Sequence, residues 1–143
     1  MPRIRIDLPE TFSFSTSLPV RVTDLNYGNH VGNDKVLSIL HEARLQYLIS
    51  LGYSEQDLDG VSLIMADAAL VFKQEMHYGD ELLVSIRPEE CSRVGFDLIY
   101  KVEKKAGEEL ITTVLAKTAM ICFDYKLKKI VALPESVRLK LLA

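Results

Sequence analysis

The amino-acid sequence predicts an α+β fold in which one long helix packs against a curled antiparallel sheet. Three observations support this prediction: a single long helical pattern in the first half, strand patterns over nearly all of the rest, and short turns between those strands. A helix and a sheet with one apolar face each can bury those faces against one another. A doubly wound parallel sheet is disfavoured, because it needs several crossover helices that the sequence lacks.

The first strand is predicted from Phe12 to Val22. Phenylalanines alternate with serines at its start, Pro19 interrupts it, and Val20-Arg21-Val22 resumes the strand pattern. Because proline cannot donate to a hydrogen-bond ladder, Pro19 predicts an edge strand or a bulge.

The long helix is predicted from Asp34 to Leu51. Its apolar residues recur on one face at about 100° per residue: Val36, Leu37, Leu40, Ala43, Tyr47, Leu48 and Leu51. Asn33 is expected to cap the N-terminus, and Gly52 is expected to end the helix in a left-handed conformation. Three more apolar residues lie off this face: Ile39, Leu45 and Ile49. We therefore expect the helix to be wrapped by its surroundings on more than one side.

Four strand patterns follow the helix and are separated by turn signals. These strands are predicted at Val61 to Met76, Leu82 to Ile86, Phe96 to Val102 and Leu110 to Asp124, with a short strand at Ile130 to Leu133 and a final helix opening at Pro134.

The composition limits the class of protein. A length of 143 residues predicts a single domain, residues 1–143, with a real hydrophobic core. The net charge of −3 and the lack of a basic block argue against nucleic acid as a partner. No segment approaches the roughly 20 apolar residues of a membrane helix, and the N-terminus lacks the apolar stretch of a signal peptide. We therefore expect a cytoplasmic protein that does not insert into membranes.

The cysteines and histidines show no metal-binding spacing. Cys91 and Cys122 each lie in an apolar, strand-like run, which predicts buried reduced thiols rather than a disulfide. His30, His41 and His77 are too scattered in the sequence to suggest zinc. No metal site is predicted.

The segment from Thr23 to Asn33 joins the first strand to the long helix and is the most informative part of the chain. It combines hydrogen-bond acceptors, an imidazole and two glycines within eleven residues. The backbone N–H groups of a first helical turn have no helical partner, and the helix dipole places positive potential there. This segment is therefore suited to chemistry that generates an oxyanion.

Four motifs, taken in order, resemble the hotdog-fold thioesterases related to 4-hydroxybenzoyl-CoA thioesterase. They are Thr23-Asp24-Leu25-Asn26 with Asn29-His30-Val31-Gly32-Asn33, Leu40-His41-Glu42-Ala43-Arg44, Leu51-Gly52-Tyr53 and Tyr78-Gly79-Asp80. The resemblance spans about Phe14 to Phe123. It implies hydrolysis of acyl-CoA thioesters, or less often of acyl thioesters on acyl carrier protein, without a metal or organic cofactor. It also implies homodimers joined edge to edge, often paired into tetramers, with active sites shared between subunits at the start of the long helix.

The chain departs from the family at Asn26. Many relatives carry Asp-x-Asp at Asp24-Leu25-Asn26, and their second Asp is the catalytic carboxylate. An amide is not a useful base, although it can position a water or donate to a thioester carbonyl. By resemblance, the backbone N–H groups of Gly32 and Asn33 are the expected oxyanion donors.

Two side chains of the loop are candidate proton acceptors, each with a structural alternative. His30 has a side chain of the type that titrates near neutrality, so it is able to activate water directly, or its ring braces the helix start. Asp24 acts as the base or orients His30, or else it accepts backbone N–H groups as in an Asx turn.

Three further carboxylates are candidates outside the loop. Glu42 lies on the helix, where some hotdog thioesterases place a catalytic glutamate, but exposure is the ordinary reading. Asp67 interrupts an apolar run, which predicts a buried carboxylate that serves as a base with a raised pKa or pairs with a structural donor. Glu75 aligns with a glutamate proposed as catalytic in plant acyl-ACP thioesterases, or it is a solvated group near a turn.

Two functions of different class follow. The first is an acyl-CoA thioesterase in which Asn26 positions the nucleophilic water. The alternative is a non-catalytic acyl-CoA-binding or scaffold protein, which the missing carboxylate at Asn26 motivates. A hotdog dehydratase or hydratase fits less well, because those enzymes carry a different histidine-containing loop.

Overall fold

One long helix lies on one face of an antiparallel sheet in the computed structural model, which describes residues 2–143. The helices are α1 (Val36–Ser50) and α2 (Glu135–Leu142). The strands are β1 (Phe14–Pro19), β2 (Ser62–Phe72), β3 (Glu81–Glu89), β4 (Gly95–Ala106), β5 (Glu109–Asp124) and β6 (Lys129–Ile130). The predicted α+β architecture, a curled antiparallel sheet wrapped around one long helix, is confirmed.

The sheet has the strand order β1-β3-β4-β5-β2, and the short β6 pairs with β5. Because β1 pairs only with β3, the edge position predicted from Pro19 is confirmed. The strand β2 forms the opposite edge and pairs only with β5. At its C-terminal end, Phe72 lies opposite Val114 of β5, which in turn lies opposite Val102 of β4.

The core lies between α1 and the concave face of the sheet. Alternate residues of β4, among them Leu98, Tyr100 and Val102, have no exposed surface, as expected for strand side chains that point toward the helix. From α1, Leu40 and Leu48 are equally inaccessible to solvent. Burying each of these aliphatic side chains contributes about 1.5–3 kcal/mol. The predicted apolar face of the helix is confirmed.

The start of the helix differs from the prediction. A single 3₁₀ turn, Asn33–Lys35, precedes α1, so the capping position of α1 is Lys35 and no side chain caps the helix. The prediction that Asn33 is the N-cap is therefore wrong. Gly52 has φ 89°, which confirms the left-handed helix end, because glycine adopts this conformation without a steric penalty.

The helix is wrapped less completely than predicted. Ile39 is buried, but Ile49 is 60% exposed, so one side of α1 faces solvent. The hydrophobicity of Ile49 alone does not determine its burial, because many apolar atoms remain on protein surfaces.

Three predicted strand boundaries are also wrong. The segment Val20-Arg21-Val22 does not resume β1, because Val22–Asp24 form a 3₁₀ turn in which the Asp24 carboxylate accepts the Arg21 backbone N–H at 2.9 Å. The strand β2 ends at Phe72 rather than at Met76, and β6 is confined to Lys129–Ile130.

Within residues 2–143, no helix has the length and hydropathy needed to cross a bilayer.

Candidate active site

A cleft of about 290 Å³ opens where the turn before α1 faces the end of β2. The helix side of the cleft is lined by His30, Val31, Asn33 and Val36. The sheet side is lined by Phe72, Lys73, Gln74, Glu75, Met76 and Val114. The cleft therefore combines polar groups of the predicted loop with an apolar floor.

Backbone hydrogen bonds fix the loop against the segment that follows β2. The Val31 N–H donates to the Met76 carbonyl at 2.7 Å, and His30 forms an isolated β-bridge with His77. Inside the loop, the Asn26 N–H donates to the His30 carbonyl at 2.9 Å. These bonds bring together segments that are distant in the sequence.

His30 lies at the rim of this cleft with its side chain 30% exposed. Its Nδ1 lies 3.2 Å from the Val31 carbonyl oxygen. When Nδ1 carries the proton, this contact is a hydrogen bond, and Nε2 is left free to accept a proton. A side chain at Gly28 would meet the His30 ring at 3.0 Å, so the ring position depends on that glycine.

Glu75 is the carboxylate that accompanies this imidazole. Its Oε1 lies 4.0 Å from His30 Nε2, and its Oε2 lies 3.5 Å from His77 Nε2. The Glu75 side chain is 65% exposed, as expected for a solvated group near a turn, and its position next to His30 depends on the packing of the loop against the segment after β2.

The two expected oxyanion donors have different environments. The Gly32 N–H donates to the Asp24 carbonyl at 3.1 Å and is therefore engaged within the loop. The expectation that Gly32 supplies a free donor is not met in this conformation. The Asn33 N–H is the first of the 3₁₀ turn, and within residues 2–143 it has no hydrogen-bond partner. Asn33 also lines the cleft, so a backbone donor without a protein partner borders it.

Asp24 has the structural role of the two that its sequence position allows, because its carboxylate accepts a backbone N–H. Its side chain is 5% exposed, accepts the Arg21 N–H at 2.9 Å and lies 3.5 Å from the Arg21 guanidinium. It borders a different pocket, of about 220 Å³, and does not line the cleft that contains His30. This carboxylate shapes the loop.

Asn26 and Glu42 also lie outside the lining of the cleft. The Asn26 Oδ1 accepts the Gly28 N–H at 2.9 Å, which is an Asx turn. Glu42 accepts a hydrogen bond from Gln46 at 2.9 Å and borders the same separate pocket as Asp24. The structure therefore does not bring these two side chains together with His30.

Asp67 is not buried within the single chain. Its side chain is 58% exposed, and its carboxylate accepts hydrogen bonds from Lys117 at 2.9 and 3.2 Å. The expectation of an apolar environment is wrong here for two reasons. The strand β2 is an edge strand with an irregular register between Met65 and Asp67, and Lys117 of the neighbouring β5 provides a partner.

The exposed ion pair of Asp67 predicts a small effect of substitution. Asp67→Asn is expected to lower the free energy of unfolding by less than about 1 kcal/mol, because exposed salt bridges contribute little. Urea unfolding checks this value. A loss of more than about 2 kcal/mol would contradict the exposed position of the ion pair.

The cysteines are free and their thiols are protonated. Burial raises the pKa of Cys122 to about 11, and burial also raises the pKa of the half-buried Cys91. A thiol is a weak nucleophile compared with its thiolate, so neither cysteine is poised for nucleophilic attack. Within residues 2–143, no three His, Cys, Asp or Glu side chains group closely enough to hold a metal ion.

A family model described as the thioesterase-like superfamily matches residues 20–141 of the chain. No curated protein matches the chain. A 1,4-dihydroxy-2-naphthoyl-CoA thioesterase from Synechocystis is 23% identical, with a TM-score of 0.80 over 90% of this chain and 95% of its own. A DHNA-CoA thioesterase from Staphylococcus aureus is 21% identical, with a TM-score of 0.74 over 82% of this chain and 78% of its own.

A hypothetical protein from Aquifex aeolicus is 25% identical, with a TM-score of 0.80 over 90% of this chain and 98% of its own. The low sequence identities mean that the structural neighbours establish the fold. The family match covers most of the chain, including the loop, the helix and the cleft.

Proposed function

The chain belongs to the thioesterase-like superfamily, and from this membership we propose that it hydrolyses acyl thioesters of coenzyme A. One observation supports the proposal above the others. His30, Glu75 and Asn33 line one cleft together with apolar side chains, and within residues 2–143 the Asn33 N–H has no hydrogen-bond partner. Hydrolysis of a thioester needs a proton acceptor for water, a donor for the carbonyl oxygen and a place for the acyl group.

The carbonyl oxygen of the thioester accepts the N–H of Asn33, the first residue of the 3₁₀ turn that leads into α1. As the tetrahedral intermediate forms, this oxygen becomes negatively charged, and the positive end of the helix stabilises it. The acyl group lies in the cleft against the apolar side chains of Val36 and Val114. A donor that gains strength as charge develops lowers the barrier more than it tightens substrate binding.

His30 removes a proton from water through Nε2, and the resulting hydroxide bonds to the carbonyl carbon. The imidazolium is stabilised by Glu75, whose carboxylate lies 4.0 Å away. When the intermediate collapses, the carbon–sulfur bond breaks and the thiolate takes the proton from His30. The products are the free acid and the free thiol, and the imidazole is restored.

Asn26 supports this site through the backbone in our proposal. Its Asx turn holds Gly28, above which the His30 ring lies. This role replaces that of the usual carboxylate and does not require the amide to contact water. Asp24 acts in the same way by accepting the Gly32 N–H through its carbonyl oxygen.

We propose a homodimer formed through the free edge of β2, or a pair of such dimers, in the cytoplasm. The edge of β2 that does not face β5 carries unpaired backbone groups, and a second copy is able to satisfy them. Acyl-CoA is the proposed substrate, and neither nucleic acid nor membrane is a proposed partner.

Thiol release from a panel of aliphatic and aromatic acyl-CoA thioesters tests the function. We expect the purified protein to release free thiol, measured with a thiol-trapping dye, well above the rate with heat-denatured protein. The non-catalytic alternative predicts a different pattern: calorimetry detects binding of acyl-CoA, but no thiol appears over several hours. That pattern would exclude the hydrolase.

A further inference from the structure

The N-terminal segment, residues 2–13, crosses the face of the sheet that is opposite to α1. The Arg87 guanidinium of β3 donates to the carbonyl and the hydroxyl of Thr11 at 3.0 and 2.7 Å. The ammonium group of Lys101 of β4 lies 5.2 Å from the centre of the Phe12 ring. Since the neighbours of Lys101 on β4 point into the core, Lys101 and this segment lie on the other face.

The residues before Phe12 reach the end of β2, where they lie beside the candidate active site. Arg3 borders a groove of about 390 Å³ together with Phe72. Arg5 borders an adjacent groove of about 230 Å³ together with Lys73. Phe72 and Lys73 also line the cleft that contains His30. The two grooves therefore adjoin the cleft at the end of β2.

Three cations without acidic partners surround these grooves. Within residues 2–143, Arg3, Arg5 and Lys73 take part in no ion pair. Asp7 is the one carboxylate among the residues that border the two grooves. On a chain of net charge −3, an unpaired positive surface beside the cleft is suited to an anionic part of the substrate.

We propose that Arg3, Arg5 and Lys73 bind the phosphate groups of the coenzyme A moiety. This inference depends on the proposed thioesterase function. The thioester lies at Asn33, the pantetheine arm passes the end of β2 at Phe72, and the phosphates lie against the three cations. Guanidinium groups match the geometry of phosphate oxygens, so the two arginines are the principal contacts. The N-terminal segment thereby distinguishes substrates that carry a nucleotide from those that do not.

The test compares two thioesters that differ only in their phosphates and nucleotide: octanoyl-CoA and S-octanoyl-pantetheine. In Arg3→Gln/Arg5→Gln protein we expect KM for octanoyl-CoA to rise about fivefold to tenfold, the effect of losing two exposed charge contacts. We expect kcat and the KM for S-octanoyl-pantetheine to change less than twofold. Lys73→Gln is expected to raise KM for octanoyl-CoA further when it is added to the double variant.

Arg93→Gln is the matched control. Arg93 lies just before Gly95, the first residue of β4. Val102 of β4 lies level with Phe72 across the sheet, and seven residues of β4 separate Gly95 from Val102. At about 3.3 Å per residue, this distance is roughly 23 Å along the sheet. The control is expected to leave both KM values unchanged. Equal KM increases for both substrates in the double variant, or no increase for octanoyl-CoA, would overturn the phosphate site.

Binding of adenosine 3′,5′-bisphosphate, measured by calorimetry, separates this inference from the proposed function. If the wild-type protein cleaves no thioester but binds this nucleotide at least fivefold more tightly than the double variant does, the function fails and the phosphate site stands. If the wild-type protein cleaves octanoyl-CoA and the double variant has the same KM, the phosphate site fails and the function stands. If the double variant has a higher KM than the wild type for acyl carrier protein substrates but not for octanoyl-CoA, the arginines recognise an acidic protein surface. That outcome also overturns the phosphate site.

Discussion

His30→Ala is expected to lower kcat for acyl-CoA hydrolysis by roughly 10²- to 10⁴-fold, the usual contribution of a general base. The imidazole lies at the rim of the cleft, with Nδ1 against the Val31 carbonyl and Nε2 directed to the side where Glu75 lies. Removing the ring leaves the oxyanion donor in place, because the Asn33 N–H belongs to the backbone. KM is therefore expected to change much less than kcat.

Added imidazole distinguishes proton transfer from a structural role of His30. A small imidazole that occupies the vacated space is expected to restore part of the lost kcat of His30→Ala, whereas a loss caused by loop distortion would not respond. His41→Gln is the matched control, since His41 lies on the exposed side of α1 and does not line the cleft. Activity of His30→Ala within threefold of the wild-type value would contradict this assignment.

The order of helix and strands was predictable because the relevant patterns are local. The period of 3.6 in α1 and the period of two in β4 each mark a face that is buried in the structure. The ends of elements were less predictable, since they depend on side chains that compete for backbone groups. Asp24 is such a case: its carboxylate takes the Arg21 N–H and turns the chain before β1 can resume.

The candidate site was only partly predictable for the same reason. The loop that contains His30 and Asn33 was identified from its residue types and its position before a helix. The sequence does not show which backbone N–H is free, because that depends on a contact across the loop: the Gly32 N–H donates to the Asp24 carbonyl. Glu75 reaches His30 only through the backbone pairing of the loop with the segment after β2. Tertiary contacts of this kind leave no local pattern.

Arg44 is buried, as its spacing from apolar residues of α1 indicates, but the sequence analysis does not include it in the buried face. It lies four residues from both Leu40 and Leu48, which places it on the buried face of α1. In the structure Arg44 is 5% exposed and donates to the Tyr100 hydroxyl at 3.2 Å. Burial raises the pKa of Tyr100, so the hydroxyl remains protonated and lies 2.8 Å from the Thr118 hydroxyl.

The charge of Arg44 is balanced by Glu55, in the loop between α1 and β2. The Arg44 guanidinium lies 3.7 Å from Glu55 Oε2, and His41 Nε2 lies 2.7 Å from Oε1. The hydrogen bonding is incomplete, because within residues 2–143 the Arg44 Nε atom has no hydrogen-bond partner. This pair therefore gains electrostatic energy but does not recover the full cost of desolvation.

Arg44→Met is expected to lower the free energy of unfolding by about 2 to 4 kcal/mol. Loss of one partner of a buried ion pair costs about 3–5 kcal/mol, and the value is reduced here because the Glu55 side chain keeps 21% exposure. Urea unfolding followed by circular dichroism measures the change, and Arg93→Met, on an exposed turn, is expected to stay within about 0.5 kcal/mol of the wild type.

The double variant Arg44→Met/Glu55→Met tests whether the loss comes from the unpaired carboxylate. Removing both charges leaves no buried ion without a partner, since His41 is exposed, so we expect the double variant to recover at least half of the stability lost in Arg44→Met. A double variant whose loss equals the sum of the two single losses would contradict this explanation. In that case, the packing of the arginine stem against Leu40 and Leu48 would stabilise α1 on the sheet, independently of its charge.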